Sequence, residues 1–238
     1  MTNSITEALS ANRYPGRGIV IGMSADGRRA VSAYFIMGRS ENSRNRVFVA
    51  DGDGVLIRPH DPARVSDPSL IIYRPLAVLG NTTVVTNGDQ TDTIAEELLN
   101  GGSFEQALRR RTYEPDTPNY TPRISGLIER TAGGFSYRLS ILKRLNAESA
   151  ACLRQFFEYE PRAGIGHFIH TYNGDGEPLP SFCGEPRMLA INDSADIEAY
   201  AAALWQSLNA DNRVALVLRY ISLADGSAQT AIINRHRV

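Results

Sequence analysis

Lysine is nearly missing: of the 25 basic residues in this 238-residue chain, only Lys143 is not arginine. Cysteine is almost as scarce. Cys152 and Cys183 form no CxxC motif, which excludes a disulfide framework or a thiolate zinc site and fits free thiols in a reducing cytoplasm. Four histidines, at 60, 167, 170 and 236, are too few and too scattered for a histidine metal centre. His167 and His170 stand three apart on an expected strand and so face opposite sides. No uninterrupted apolar run approaches the ~20 residues of a membrane span, and the start, MTNSITEALSANRYPGRG, has no apolar secretory core. A net charge of -1 gives no electrostatic case for nucleic acid or an anionic membrane. GxGxxG, Walker and GxSxG signatures are all absent. A soluble, cytoplasmic domain with no metal and no organic cofactor is the expectation, and homo-oligomerisation is left open.

The patterning is mixed and β-rich. Ser4–Asn12 reads as a short capped helix stopped by Tyr14-Pro15-Gly16. Gly18–Gly22 and Ala30–Met37 form one expected hairpin, and Arg46–Ala50 with Val55–Arg58 a second. Leu70–Tyr73, Leu76–Leu79 and Thr82–Thr86 continue as strands. Thr93 and Glu96 have capping-box spacing ahead of a helix at Ile94–Asn100, and Ser103 with Gln106 repeats it for Phe104–Arg111. Strands are expected at Ile124–Glu129, Phe135–Lys143, Gly166–Tyr172, Val214–Ser222 and Gln229–Asn234, and Leu153–Tyr159 is a strand or a short buried element. A helix at Ile197–Leu208 is capped by Ser194. Hairpin-connected neighbours favour an antiparallel α+β layered domain over a doubly wound sheet. No linker interrupts it, so residues 1–238 are taken as one domain with 1–15 as a helical extension.

Two acidic turns, Asp51–Gly54 and Asn173–Gly176, lack the remaining ligands of a calcium loop and read as turns. Three polar segments carry more chemistry than a surface connection needs. Arg111–Gly126, RTYEPDTPNYTPRISG, is stiffened by prolines 115, 118 and 122, and it presents Glu114, Asp116, Asn119, Tyr120, Thr121 and Arg123. Gly38–Arg46, GRSENSRNR, places Arg39, Arg44 and Arg46 beside Ser40, Asn42, Ser43 and Asn45, a donor set suited to an anion. Asn87–Asp92 leads into a helix N-terminus, which also favours phosphate. Tyr73 can present a phenol at the same rim. Together these residues point to a polar, phosphate-bearing ligand on a β-rich layer.

The segments YPGRGI at 14–19, FIMGRSENSRNRVF at 35–48, NGDQTDTI at 87–94 and EPDTPNYTPRISG at 114–126 resemble the archaeal-type IMP cyclohydrolase family and its bacterial relatives. The resemblance implies a four-layer αββα sandwich like that of N-terminal nucleophile hydrolases. It also implies closure of 5-formamidoimidazole-4-carboxamide ribotide (FAICAR) to inosine monophosphate with loss of water, so the expected partner is a purine nucleotide. In those hydrolases a processed N-terminal residue supplies the nucleophile. Here the corresponding strand begins Gly16-Arg17 behind a helix, so autoprocessed covalent catalysis is not expected.

In the reaction so implied, the carboxamide nitrogen attacks a formyl carbon of the same molecule. The protein must hold the reactive rotamer, move protons and stabilise an oxyanion. On motif match and residue chemistry, Glu114 is assigned proton transfer, Tyr73 donation to the formyl oxygen, and Arg44 the electrostatic partnership with Tyr73. Arg39, Arg46 and Arg123, with Ser40 and Asn45, are assigned to phosphate or carboxamide; Asn87, Asp89 and Asn119 are assigned to ribose or base. Two rivals stand beside this reading: an amide hydrolase on the same fold, and a purine nucleotide-binding protein without turnover. The hydrolase would need an N-terminal Cys, Ser or Thr, and Thr2 is separated from the site by the expected helix.

Overall fold

Side-chain alternation in the strands sorts the chain into two antiparallel sheets with apolar faces. The structure is a computed structural model describing residues 3–65, 68, 70–193 and 195–237. In chain order the elements are α1 (Ile5–Ala11), β1 (Arg17–Met23), β2 (Arg29–Met37), α2 (Glu41–Arg44), β3 (Arg46–Asp51), β4 (Gly54–Pro59), β5 (Leu76–Leu79), β6 (Thr82–Thr86), α3 (Gln90–Leu99) and α4 (Phe104–Arg109). There follow β7 (Arg123–Thr131), β8 (Gly134–Asn146), β9 (Ser149–Tyr159), β10 (Ile165–His170), β11 (Arg187–Ala190), α5 (Ile197–Ser207), β12 (Arg213–Ser222) and β13 (Ala228–Asn234). One sheet has the order β11-β10-β1-β2-β12-β13 and the other β3-β4-β5-β6-β7-β8-β9. Every pairing between these strands is antiparallel, as the hairpin pattern predicts.

Period-two alternation puts Ile19, Ile21, Tyr34, Ile36 and Val217 on one face of the first sheet. They meet Phe48, Val85, Ile124, Leu139 and Ile141 of the second in a single apolar cluster. The intervening residues Val20, Val31, Phe35, Leu216 and Leu218 pack against Ile5 and Leu9 of α1 and Tyr200 and Leu204 of α5. On the second sheet Val84, Leu127 and Leu142 pack against Ile94 of α3 and Phe104 and Leu108 of α4. Each fully buried aliphatic side chain contributes about 2 kcal/mol. β1 and β7 approach closely at Gly126, where an added Cβ would lie 2.6 Å from Ile21 Cδ1. Gly126→Ala would therefore require the Ile21 side chain to shift.

Three local expectations are corrected. Leu70–Tyr73 is not a strand: Ile71 and Ile72 both donate to Pro68 O, which folds a turn, and only the bond from Ile57 N to Tyr73 O ties it to β4. The helix after β6 starts at Gln90 rather than Ile94. Its cap is Asp89, without a side-chain capping bond, because Gln90 and Thr91 are drawn into buried hydrogen bonds at the sheet end. Ser194 lies outside the described residues, and the cap of α5 is Asp196, whose Oδ1 accepts from Glu198 N and Ala199 N. The capping boxes at Ser4/Glu7 and Ser103/Gln106 are both formed.

Candidate active site

Polar residues on the facing surfaces of the sheets collect at one end of the interface. β1 contributes Arg17, directed there by Gly16, whose φ of +74° lets the chain pass against Thr171 and Tyr172 with no room for a Cβ. β2 contributes Tyr34, the start of β3 contributes Arg46, and the turn before β5 contributes Tyr73. The Pro-rich segment before β7 brings Glu114. All five are buried or nearly so. A pocket of about 240 Å³ opens above them, lined by Tyr14, Arg17, Arg39, Ser40, Arg46, Asp116, Asn119, Thr121 and Tyr172 among others. Larger clefts elsewhere lack this convergence of buried charge.

Glu114 is the centre of the cluster. Its backbone N–H donates to Thr121 O at 2.9 Å, so the loop closes on itself. The carboxylate is held loosely: Arg17 Nη2 stands 3.7 Å from Oε2 and Asn87 Nδ2 stands 3.4 Å from Oε1. Burial pushes its ionisation up to about 7, against the opposing pull of Arg17, Arg123 and Arg46. A carboxyl tuned this way is half ionised at neutral pH, the condition for giving and taking protons.

Beside it, Tyr34 Oη and Tyr73 Oη share a 2.7 Å hydrogen bond. Burial raises both phenols, while Arg46 and Arg17 pull Tyr73 back down. Arg46 is fully buried, and its Nε donates to Ser43 O at 2.8 Å. Among the described residues neither of its terminal nitrogens has a partner, nor does Nε of Arg17. Burial, with Arg17 nearby, lowers the ionisation of Arg46. A buried guanidinium with two free donors is costly unless an acceptor arrives.

Asn87 braces the loop. Nδ2 donates to Pro122 O at 2.9 Å, and Oδ1 accepts from Ile124 N at 2.8 Å and Gln90 Nε2 at 3.1 Å. Arg123 donates to Gln90 Oε1 at 2.7 Å and pairs with Asp89 at 2.6 Å, and Asp89 also binds Arg111. Arg123 and Asp89 thus hold each other behind Glu114. Asp116 accepts from the backbone and hydroxyl of Thr121, which also meets Tyr172 Oη. Asn119 Oδ1 accepts from Leu179 N at 3.0 Å. Arg39 spans the rim, paired with Asp175 at 2.8 Å and Glu177 at 3.6 Å.

Of the eleven residues proposed from sequence, Glu114, Tyr73, Arg46, Arg39, Ser40, Asn87, Asp89, Asn119 and Arg123 fall in or directly around this end of the interface. Arg44 and Asn45 do not. Arg44 belongs to α2, whose turn aims it away: its Nε donates to Gly38 O and its Nη2 to Asn212 Oδ1. Asn45 is bonded on both sides to the backbone of Asp61. Both line a separate cleft with His60 and His236. The arginines beside Tyr73 are Arg46 and Arg17. Sequence reasoning missed Arg17, Tyr34 and Tyr172 as site members; an arginine opening an apolar strand, as in YPGRGI, was the available signal. Among the described residues no cluster of three His, Cys, Asp or Glu side chains could hold a metal. None of their helices is long and apolar enough to cross a membrane.

Comparison with known proteins shows the family of the chain. Residues 14–226 match the family described as IMP cyclohydrolase-like protein. The chain belongs to that family. It is 34% identical over 172 residues to a Methanopyrus kandleri protein named IMP cyclohydrolase, covering 71% of this chain and 79% of that one. A Methanocaldococcus jannaschii protein of the same name is 33% identical over 162 residues, or 67% of this chain and 73% of that one. A Methanococcus aeolicus protein, again of that name, is 33% identical over 128 residues, 52% of this chain and 62% of its own length.

Proposed function

We propose that this protein is an IMP cyclohydrolase, closing FAICAR to inosine monophosphate with loss of water, the last step of purine nucleotide synthesis. The observation that carries the reading is a loosely held, buried Glu114, tuned to about 7, beside a buried Arg46 whose terminal nitrogens have no partner among the described residues. The family membership and the names of the relatives support it. So does the pattern of three apolar clusters, which fits a single four-layer αββα domain of the N-terminal nucleophile hydrolase type.

Ring closure needs little covalent help because nucleophile and electrophile share one molecule. The pocket holds the carboxamide against the formyl group. Glu114 takes the amide proton as nitrogen attacks and returns it to the departing hydroxide, while the formamido N–H gives its proton back to Tyr73 as the C=N bond forms. Tyr73 donates to the formyl oxygen, and Arg46, in place of Arg44, supplies the charge that stabilises the oxyanion. Arg39 and Ser40 at the rim receive the phosphate, and Asn119 orders the ribose. Asn87, Asp89 and Arg123 position Glu114. β1 opens with Arg17, preceded by α1, so the strand position where a hydrolase of this fold type would carry its nucleophile holds a guanidinium. The test is to incubate the protein with FAICAR and follow inosine monophosphate chromatographically. Formation no faster than the spontaneous reaction would exclude the assignment.

A further inference from the structure

The single lysine of the chain is buried, and its ammonium faces a thiol. Lys143 on β8 is 8% exposed, and Nζ donates to Phe182 O at 2.8 Å and meets Cys183 Sγ at 3.1 Å. Cys183 itself is exposed and free, so an oxidant reaches the sulfur from solvent while the amine waits behind it. The two residues come from different sheets: β8 belongs to the seven-stranded sheet, and Cys183 lies in the segment joining β10 to β11 of the other. Cys152, the second thiol, is half-buried and has no amine beside it, its Sγ meeting only Leu153 O among the described contacts.

We propose that Lys143 and Cys183 form a reversible covalent nitrogen–sulfur link under peroxide. The peroxide O–O bond breaks as Cys183 Sγ takes one oxygen to become a sulfenic acid, and the other oxygen leaves as water. Lys143, after its ammonium yields a proton to solvent, attacks that sulfur through the Nζ lone pair. An N–S bond forms, the S–O bond breaks, and the hydroxyl leaves as water with a proton from the nitrogen. Sulfur is oxidised by two electrons and peroxide is reduced to two waters. Attack by an external thiol on the sulfur, followed by a second thiol, regenerates both side chains. The link joins the sheets through the segment that carries Asp175, Glu177 and Leu179 to the rim of the pocket. It is independent of the activity proposed above.

The lone lysine makes the test simple. A protease that cuts only after lysine splits the denatured protein once, after Lys143. Peroxide treatment of the folded protein is expected to leave most chains uncut, with an intact mass lighter by two hydrogens. Reducing thiol should restore both the cut and the mass. Cys152→Ser should behave like the wild type, and Cys183→Ser, a change at an exposed position, should be cut whether oxidised or not. Full cleavage after peroxide, with only added oxygens on Cys183, would overturn the proposal. So would resistance that persists in Cys183→Ser.

Discussion

The two ends of the interface between the sheets are both buried, and both hold titratable side chains. They resolve the burden in opposite ways. At the far end His167 Nδ1 and Tyr137 Oη share a 2.7 Å hydrogen bond, and the imidazole stacks on Tyr159 at 3.5 Å. Burial drives His167 down to about 4 and Tyr137 up, so this pair is neutral at pH 7. At the near end Arg17, Arg46 and Glu114 keep charge in the interior, and guanidinium nitrogens have no acceptor among the described residues. A shifted ionisation is therefore common to both ends and identifies neither. What distinguishes the near end is a fully buried guanidinium, Arg46, with both terminal nitrogens unpartnered among the described residues, because folding alone gives little reason to bury it so.

The largest expected contrast tests that distinction directly. Glu114→Gln keeps the shape but cannot accept a proton, and should lower FAICAR turnover on the order of 10³-fold. His167→Gln at the far end should leave turnover within about threefold of wild type, since the imidazole is bonded to Tyr137 Oη and stacked on Tyr159. Equal losses in both would erase the proposed difference between the ends. Arg46→Met comes next. Replacing the guanidinium by an apolar chain of similar length should cost about 10²-fold in turnover. Because only Nε of the removed guanidinium has a partner among the described residues, the thermal midpoint should hold or rise. A sharp fall in the midpoint would mean that Arg46 supports the fold and that its free nitrogens have no catalytic meaning.

Glu114 also leaves a signature in stability. Its ordinary value of 4.5 is raised to about 7 in the folded state, so the folded protein binds the proton more tightly than the unfolded chain. Stability is then lost as pH rises from 4.5 through 7, by roughly 2–3 kcal/mol. Glu114→Gln has no such titration. Denaturant melts across that window should show the variant gaining on the wild type as pH rises, with the gap constant below 4.5. A variant that instead loses ground to the wild type as pH rises would place the carboxylate in a stabilising ion pair with Arg17, reversing the sign argued here.

Most of the layering was legible because alternation is a local property: Ile19, Ile21, Tyr34 and Ile36 declare their face without knowledge of the partner sheet. The loop residues Glu114 and Asn87 were legible because their motifs are chemically dense. The near end as a whole was not. Tyr34 and Arg17 lie on strands whose period marks them as core, and only the second sheet's arrival turns that face into a polar cluster. The separate placements of Arg44 and Arg46, both assigned to the site from sequence, were not legible for a related reason. The two are two residues apart, but the short helix α2 ends between them, so one follows the helix outward and the other opens β3 inward. The turn at Leu70–Tyr73 was misread because an apolar run looks the same whether it enters a ladder or packs beneath one.

The smallest expected effect on turnover sharpens the far end. Tyr137→Phe removes the hydroxyl that meets His167 Nδ1 and leaves that nitrogen buried without its partner. Turnover should stay at the wild-type level, while unfolding free energy at pH 7 falls by about 1–2 kcal/mol. The pH dependence has the opposite sign to that of Glu114. His167 has a folded value of about 4 against 6.5, so its neutral burial is fully compatible with folding above 6.5. Stability is then lost as pH falls from 6.5 towards 4. In Tyr137→Phe the unpaired nitrogen can draw in water and protonate more readily, so acid should destabilise the variant less steeply than the wild type. Melts between pH 4 and 7 would measure this. An unchanged slope would show that desolvation alone, and not the tyrosine, holds His167 neutral.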